Sequence, residues 1–232
     1  LRSHKVTDMR RFLPAALCVL ALAGANAIAQ DDPGIRDLKV RAEAGDKTAI
    51  RQMAEAYYIG KGVEQDFKQA AVWYEKLAKS GDVRAQTSLG LMYARGYGVA
   101  KNMQLAMKWW NLAAIQHDPG AQYSLSTVYF LGDGAPQNLP EAARLRREAA
   151  IRGHIQAQSD LGLMYYEGKG VEKNLQQAYY WLALAGQQGD DLAQEQLPKV
   201  KAGMTADDIK EAENQAKAWM AKAKKVWNPN PK

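Results

Sequence analysis

Histidine and cysteine are the residue types in this chain that most often carry catalysis or hold a metal ion. The sequence contains three histidines, His4, His117 and His154, and a single cysteine, Cys18. None of them has the i, i+4 spacing or the Cys/His clustering that binds a metal. The motif Ser-x-x-Lys, which could supply a nucleophile, does not occur either. We therefore expect no metal, no cofactor and no catalytic residue.

Glycine pairs are the other feature that resembles a chemical motif, because Gly-x-Gly occurs in loops that bind phosphate. Four pairs recur along the chain: Gly60/Gly62, Gly96/Gly98, Gly132/Gly134 and Gly168/Gly170. A phosphate loop follows a strand, whereas each of these pairs follows a segment with helical periodicity. Glycine adopts the left-handed conformation that ends many helices, so we interpret the pairs as turns. The chain is accordingly predicted not to be an enzyme.

The chain contains a 36-residue repeat, and the secondary-structure elements of this repeat would position any functional site. Alanine recurs at this interval, at Ala49, Ala85, Ala121, Ala157 and Ala193. A period of this length is typical of helical solenoids, whose units bury their apolar faces only by stacking. The sequence predicts an all-α, right-handed α-solenoid of stacked antiparallel helix pairs. Its four units are residues 49–84, 85–120, 121–156 and 157–192.

The first helix of each unit carries a regular apolar face. In the second unit this face consists of Ala85, Leu89, Met92 and Tyr93, at the i, i+4, i+7, i+8 spacing of an amphipathic helix. The sixth position is small in every unit, as Ala54, Gly90, Ser126 or Gly162. Glycine costs a helix interior about 0.8–1 kcal/mol relative to alanine, so its recurrence indicates that another helix passes close by.

The second helix of each unit is expected to begin after a capping side chain. The candidate caps are Asp66, Asn102, Asn138 and Asn174. The helix then carries a large apolar residue that we expect to wedge between units. These residues are Trp73, Trp109, Leu145 and Trp181.

The repeat resembles the Sel1-like repeat family, a relative of the tetratricopeptide repeats. The shared pattern is A-x-x-x-L-G-x-x-Y-x-x-G-x-G-V, followed by a cap, a tryptophan and an Ala-Ala pair, and residues 157–171 are its cleanest copy. The resemblance covers residues 49–192 and implies a stack of helix pairs. It also implies a role in protein–protein interaction rather than one particular reaction.

The third unit departs from this pattern. Ser126 replaces glycine, Leu145 replaces tryptophan, and three arginines, Arg144, Arg146 and Arg147, lie close together on the second helix. Charged runs on helices are usually solvated, so we interpret these arginines as part of an exposed face. The alternative is a contact site for an acidic partner.

Both ends of the array are expected to be capped, since terminal repeats expose an apolar face. Residues 30–48 form the predicted N-terminal capping segment, with a lone second helix at residues 35–45. Residues 193–232 form a partial repeat, curtailed by Pro198, and a closing helix that starts at a capping box, Thr205-x-x-Asp208. The closing helix has an apolar face from Ile209 to Trp227. Its lysines leave a membrane-surface helix as an alternative.

Residues 1–29 are predicted to be a secretory signal peptide. Arg10 and Arg11 precede a short apolar stretch and an A-x-A site at Ala27–Ala29, which favours export to the periplasm or the medium. The alternative is a retained anchor, although the apolar run is shorter than the roughly 20 residues that span a bilayer. The leader holds four of the 31 basic and one of the 25 acidic side chains, so its removal lowers the formal net charge from +6 to +3. This weak charge argues against nucleic-acid binding.

One face of the first helices is more apolar than a solvated surface requires. Its predicted binding residues are Tyr58, Leu91, Arg95, Tyr123, Thr127, Phe130, Leu163 and Tyr166. In tetratricopeptide-like stacks this face lines the concave groove, and contiguous apolar surface often marks a binding site. Packing between adjacent units is the competing explanation for part of the set.

These observations predict a non-enzymatic adaptor of the bacterial cell envelope. Its partner is expected to be another envelope or periplasmic protein or peptide, with no nucleic acid and no stable membrane insertion after removal of the leader. The alternative function is binding of a glycan such as peptidoglycan or exopolysaccharide, with the groove tyrosines as platforms for sugar rings.

Overall fold

The computed structural model describes residues 33–226, and every regular element in that range is a helix. The helices are α1 (Pro33–Glu43), α2 (Lys47–Ile59), α3 (Phe67–Lys79), α4 (Val83–Arg95), α5 (Met103–Ala114), α6 (Pro119–Leu131), α7 (Leu139–Ile151), α8 (Ile155–Glu167), α9 (Leu175–Gln187), α10 (Asp191–Lys201) and α11 (Ala206–Val226). The predicted signal peptide and Trp227 lie outside the described residues.

The chain divides into two compact units between Leu77 and Ala78. The first unit holds α1, α2 and most of α3. Ala42 of α1 is fully buried, and its backbone carbonyl accepts a bond from Nζ of Lys76 at 3.0 Å. Asp46 caps α2 by accepting the N–H groups of Thr48 and Ala49. The lone helix predicted at residues 35–45 is therefore present as α1.

The second unit is an array in which, from α4 to α10, each helix packs against the next along the chain. The first helices α4, α6 and α8 pair with the second helices α5, α7 and α9, and α10 and α11 both pack on α9. Alanines fill the contacts between helices, and each first helix adds a buried leucine, Leu89, Leu125 or Leu161. The predicted all-α repeat fold is confirmed.

The turn between the two helices of a pair has the same geometry in every repeat. Four glycines end the first helices in the left-handed conformation with φ of 74–76°: Gly60, Gly96, Gly132 and Gly168. The second helices begin at the four predicted caps, whose side-chain oxygens accept backbone N–H groups. Because both ends of the turn are fixed, each second helix starts at a defined position relative to the first.

The tryptophan that wedges into the second repeat is Trp110 rather than Trp109. Trp110 is only 4% exposed, whereas Trp109 is half-buried, so the choice of Trp109 as the core indole was wrong. The indole of Trp110 lies directly over Gly90, where a Cβ would come within 2.5 Å of the ring. Its Nε1 donates to the carbonyl of Thr87 at 3.2 Å. The helix spacing therefore requires glycine at this position.

A series of glutamines joins successive repeats. Gln86, Gln158 and Gln194 each donate from Nε2 to the backbone carbonyl eight residues earlier, at the end of the preceding second helix. The last carbonyls of a helix have no partner within it, so these side chains satisfy groups that would otherwise be buried without one. Together with Gln122, these glutamines recur every 36 residues, yet their polar type gave no indication that Gln86, Gln122 and Gln158 would be buried.

Helix α10 continues through Pro198, contrary to the prediction that this proline ends the partial repeat. Proline removes one backbone donor and strains the preceding turn. Burial outweighs this cost, because Ala193 and Val200 on either side of the proline are fully buried. The N–H of Ala202 still donates to the carbonyl of Pro198 at 3.1 Å, so the helix resumes after it.

Helix α11 closes the array as expected. Thr205 accepts the N–H of Asp208 at 3.2 Å, which confirms the predicted cap. Ala212 and Ala216 are buried, and the hydroxyl of Tyr179 on α9 donates to Glu213 at 3.0 Å. The apolar face of α11 is thus used inside the protein, which argues against the membrane-surface alternative.

The contact between Gly90 and Trp110 generates a double-mutant prediction. Gly90→Ala should destabilise the protein by about 1–3 kcal/mol through overpacking, although alanine is the better helix former. In a Trp110→Ala background, which itself costs about 3–5 kcal/mol, the same change should stabilise the protein, because the ring has gone. Urea unfolding followed by circular dichroism measures both effects. Equal effects of Gly90→Ala in the two backgrounds would contradict the packing described.

Candidate functional site

The eight residues of the predicted groove are distributed over both units. Tyr58 belongs to the first unit, where its ring meets those of Phe67 and Tyr74 edge-on, at centroid distances of 5.3 and 6.3 Å. These ring contacts of Tyr58 lie within its own repeat. The other seven residues lie on α4, α6 and α8 of the second unit, and we call them the first-helix face: Leu91, Arg95, Tyr123, Thr127, Phe130, Leu163 and Tyr166.

Residues at the α4 end of the first-helix face are open to solvent. Leu91 is 38% exposed and Arg95 is exposed as well. On α6, Leu131 follows Phe130 and is 64% exposed. Large apolar side chains on a solvated helix face are the anchors that a docking segment could bury. Leu91 of the first-helix face and Leu131, which we add to that face, are therefore its accessible apolar groups.

Other members of the face are partly used for internal packing. Leu163 and Tyr166 of α8 are half-buried against the core formed by α8 and α9. Nζ of Lys173 lies 5.6 Å from the ring centre of Tyr166. Thr127 is half-buried and donates its hydroxyl to the backbone carbonyl of Tyr123 at 3.1 Å. Internal packing thus accounts for part of the set.

A polar cluster joins α6, α7 and α8 at the third and fourth repeats. Its members are Tyr123, Phe130, Arg146, His154 and Asp160, and we call it the Arg146 cluster. Nη2 of Arg146 pairs with Oδ2 of Asp160 at 3.1 Å, and the guanidinium lies over the ring of Phe130 at 4.3 Å. The hydroxyl of Tyr123 donates to the same carboxylate oxygen at 3.1 Å, and its ring stacks on His154 at 4.5 Å. Tyr123 and Phe130 are therefore held by neighbours of their own chain.

The arginines of the third repeat do not form one solvated face. Arg146 is only 5% exposed, because it occupies the position that Trp110 fills in the second repeat and Leu182 fills in the fourth. The solvated-face interpretation was wrong for this residue, and burial also removes it from any acidic contact site. Arg144 is exposed but bridges Glu141 and Glu148, and Arg147 donates to the hydroxyl of Tyr165. All three arginines thus have acceptors within the protein.

Burial sets the protonation of the Arg146 cluster. It raises the pKa of Tyr123 to about 12, and the nearby charge of Asp160 adds to that shift. It also raises the pKa of Asp160, against the opposing effects of Arg146 and the Tyr123 hydroxyl. It lowers the pKa of His154, which favours the neutral imidazole. The tyrosine is therefore a hydrogen-bond donor at neutral pH.

The two described histidines lie at repeat junctions, where one has an unusual backbone conformation and the other caps a helix. His117 adopts a positive φ of 65°, at the position where other junctions have glycine. His154 caps α8, and its Nδ1 accepts the N–H of Ala157 at 3.2 Å. The sequence analysis did not reveal the capping role of His154. The missed signal is that aspartate occupies the corresponding position of the other repeats, at Asp46, Asp82, Asp118 and Asp190.

The described residues contain no group of three or more His, Cys, Asp or Glu side chains that could hold a metal ion. Among the helices between residues 33 and 226, none has the length and hydrophobicity needed to cross a bilayer.

Comparison with known proteins identifies the repeat. The family model of the Sel1 repeat matches residues 48–82, 83–118, 119–154 and 155–190, one or two residues ahead of the predicted unit boundaries. The crystal structure of a Sel1 repeat protein from Oxalobacter formigenes is 34% identical in sequence, with a TM-score of 0.66. The alignment covers 73% of this chain and 50% of that protein, so this chain spans half the length of its relative.

More distant structures share lower similarity. The immunity protein Pa5087 from Pseudomonas aeruginosa is 21% identical with a TM-score of 0.49, over 94% of this chain and 89% of that one. The cysteine rich protein B from Helicobacter pylori is 24% identical with a TM-score of 0.46, over 59% of this chain and 98% of that one. No curated protein matches the chain.

The buried ion pair of Arg146 and Asp160 leads to a second prediction. Asp160→Ser installs the residue found at this position in the second and third repeats, but it leaves a buried guanidinium without its carboxylate. We expect a loss of about 3–5 kcal/mol in unfolding free energy. Adding Arg146→Leu, the residue of the fourth repeat, should recover part of that loss because no buried charge remains. Urea unfolding at neutral pH measures this, and simple additivity of the two losses would show that the pair is not coupled.

Proposed function

Because the chain belongs to the Sel1 repeat family, we propose that it is a non-enzymatic adaptor that docks a protein or peptide of the bacterial cell envelope on its first-helix face. Sel1 repeat proteins are generally protein-interaction modules built on a non-catalytic scaffold. The family thus supplies the class of function. The choice of surface, partner and compartment belongs to the proposal.

Two exposed leucines, one on α4 and one on α6, support the first-helix face as the docking surface. Leu91 and Leu131 keep 38% and 64% of their surface in solvent although their helices have ample buried faces for packing. Arg95 is exposed on α4 beside them and could pair with a carboxylate at the rim of a docked segment. Apolar anchors within a polar surround are the usual composition of an interface.

The internal contacts refine which predicted residues act as anchors. Tyr123 and Phe130 are engaged by His154, Asp160 and Arg146, so replacing them would disturb the packing of α6 on α8 as well as any binding. We assign them the role of positioning the face. The residues proposed to contact a partner directly are Leu91, Arg95 and Leu131, with Tyr166 and Leu163 at the α8 end.

The same contacts leave less ring surface at Tyr58 and Tyr123 for the glycan alternative. Sugar-binding platforms need an aromatic ring with a free face. Within the described residues, Tyr58 is flanked by two aromatic rings and Tyr123 is stacked on His154. Co-sedimentation with purified peptidoglycan distinguishes the two functions, since the adaptor should remain in the supernatant.

Export is part of the proposal and is supported by the signal-peptide pattern of residues 1–29. An envelope location would bring the chain together with envelope partners. Fractionation of cells expressing the full chain tests this point: the periplasmic fraction should contain a form shortened at its N-terminus.

A pair of matched leucines tests the docking surface. A photo-crosslinking amino acid is placed at Leu91 on the first-helix face, or at Leu112, which is equally exposed at 37% but lies on the second helix α5. We expect a discrete protein adduct from position 91 in living cells and none from position 112. Arg95→Ser should weaken the adduct without changing thermal stability, because Arg95 is exposed. An adduct from position 112 alone would place the interface on the opposite helices and refute the proposed surface.

A further inference from the structure

His154 breaks a series of acidic helix caps. The first helices α2, α4 and α6, and also α10, begin after aspartates whose carboxylates accept backbone N–H groups of the first turn. At α8 this acceptor is Nδ1 of His154, 3.2 Å from the N–H of Ala157. The substitution exchanges a carboxylate, which is ionised throughout the neutral range, for an imidazole whose ordinary pKa is about 6.5.

Protonation would remove the cap. Nδ1 accepts a hydrogen bond only while it carries no proton, and the imidazolium has donors alone. The N–H of Ala157 would then face another N–H. The positive end of the helix dipole would also meet a positive charge, where the four aspartates supply a negative one. Both effects act on the first turn of α8.

The contacts of His154 extend this effect to the neighbouring repeat. Its ring stacks on Tyr123 of α6, whose hydroxyl donates to Asp160 of α8. Asp160 in turn pairs with Arg146 of α7. His154 is thus part of a set of contacts that joins α6, α7 and α8 at the junction between the third and fourth repeats. Loss of its cap therefore affects that junction as well as the first turn of α8.

The charged groups around His154 and the burial of its ring act in opposite directions on its pKa. The negative charges of Asp118 at the start of α6 and of Asp160 on α8 favour the imidazolium, and Asp190 adds a further negative charge near Asp160. Arg146 of α7 pairs with Asp160, while Tyr123 remains neutral. Burial of the ring is the largest effect and lowers its pKa. The neutral, capping form therefore persists at neutral pH.

We propose that His154 makes the junction between the third and fourth repeats sensitive to acid, with protonation of the imidazole uncapping α8 and loosening its first turn from α6 and α7. This inference concerns a conformational property of the fold and holds whether or not the first-helix face is the docking surface.

The sign of the effect follows from the direction of the pKa shift. Because the pKa of His154 in the closed junction lies below the value of about 6.5 in the opened one, the opened state binds the proton more tightly. The contribution of His154 to the stability of the closed junction is fully present above pH 6.5. It is lost as the pH falls towards the lower pKa of the closed state. Between these two pKa values, the equilibrium constant for opening rises by up to about tenfold for each unit by which the pH falls. Asp160 acts with the opposite sign, because its raised pKa means that its protonation favours the closed state.

Amide hydrogen exchange of the full chain reads the junction directly. Protection factors are measured between about pH 5 and 7.5, a range that includes the ordinary pKa of histidine, after correction for intrinsic exchange. The N–H of Ala157 reports the histidine cap. The N–H groups of Ala85, Ala121 and Ala193 are internal controls, because aspartates cap them in the same molecule.

His154→Asn is the matched variant, since asparagine caps helices well and does not titrate. In the natural chain we expect the protection factor of Ala157 to fall by up to about tenfold per pH unit below pH 6.5, while the three controls change little. In the variant, Ala157 should behave like the controls. His154→Asp, which restores the cap of the other repeats, should do the same and serves as the second variant.

Two results would overturn the proposal. The first is a protection factor at Ala157 that does not depend on pH in the natural chain. The second is a pH dependence that persists unchanged in either variant, which would assign the effect to a group other than His154.

Discussion

The close approach of each second helix to the first helix of its repeat is the constraint on which the second unit depends. In the second repeat it leaves no space for a Cβ at Gly90, because the indole of Trp110 occupies that space. In the fourth repeat Gly162 lies in the same way against Leu182 and the carbonyl of Ala178. The third repeat has Ser126 at this position and the thinner, charged side chain of Arg146 opposite it. In the Arg146 cluster, a buried guanidinium therefore fills the space that a ring fills in the second repeat. Because the guanidinium is charged, it requires Asp160 as its partner.

Most of the fold could be predicted from the periodicity of the sequence. The 36-residue interval, the glycine turns and the Asp or Asn caps each act locally, so they could be read from the sequence and are found where expected. Predictions that depend on a three-dimensional neighbour were less reliable. Trp109 and Trp110 are adjacent in sequence, and only the contact with Gly90 decides which one is buried. Pro198 is a strong helix breaker by type, and only the burial of Val200 shows why the helix continues.

The candidate site was harder to predict for the same reason. Helical projection placed Tyr123 and Phe130 on an outward face, but it could not show that Arg146 and Asp160 would come to meet them from two other helices. Burial of Arg146 was opposite to expectation, because a charged residue in a helical run is usually solvated. The first-helix face that remains accessible is consequently smaller than the predicted groove. It is richest at Leu91, Arg95 and Leu131, while its α8 end is partly covered by packing.

These features describe a rigid scaffold whose buried polar groups serve packing and whose open leucines are available to a partner. The most direct test is a thiol footprint, made in a Cys18→Ser chain with one new cysteine at Leu91, Leu131, Leu112 or Ile151. Once the crosslinked partner is purified, alkylation rates are measured with and without it. The account predicts that the partner slows labelling at positions 91 and 131 and leaves positions 112 and 151 unchanged. Slowed labelling confined to 112 and 151 would contradict it.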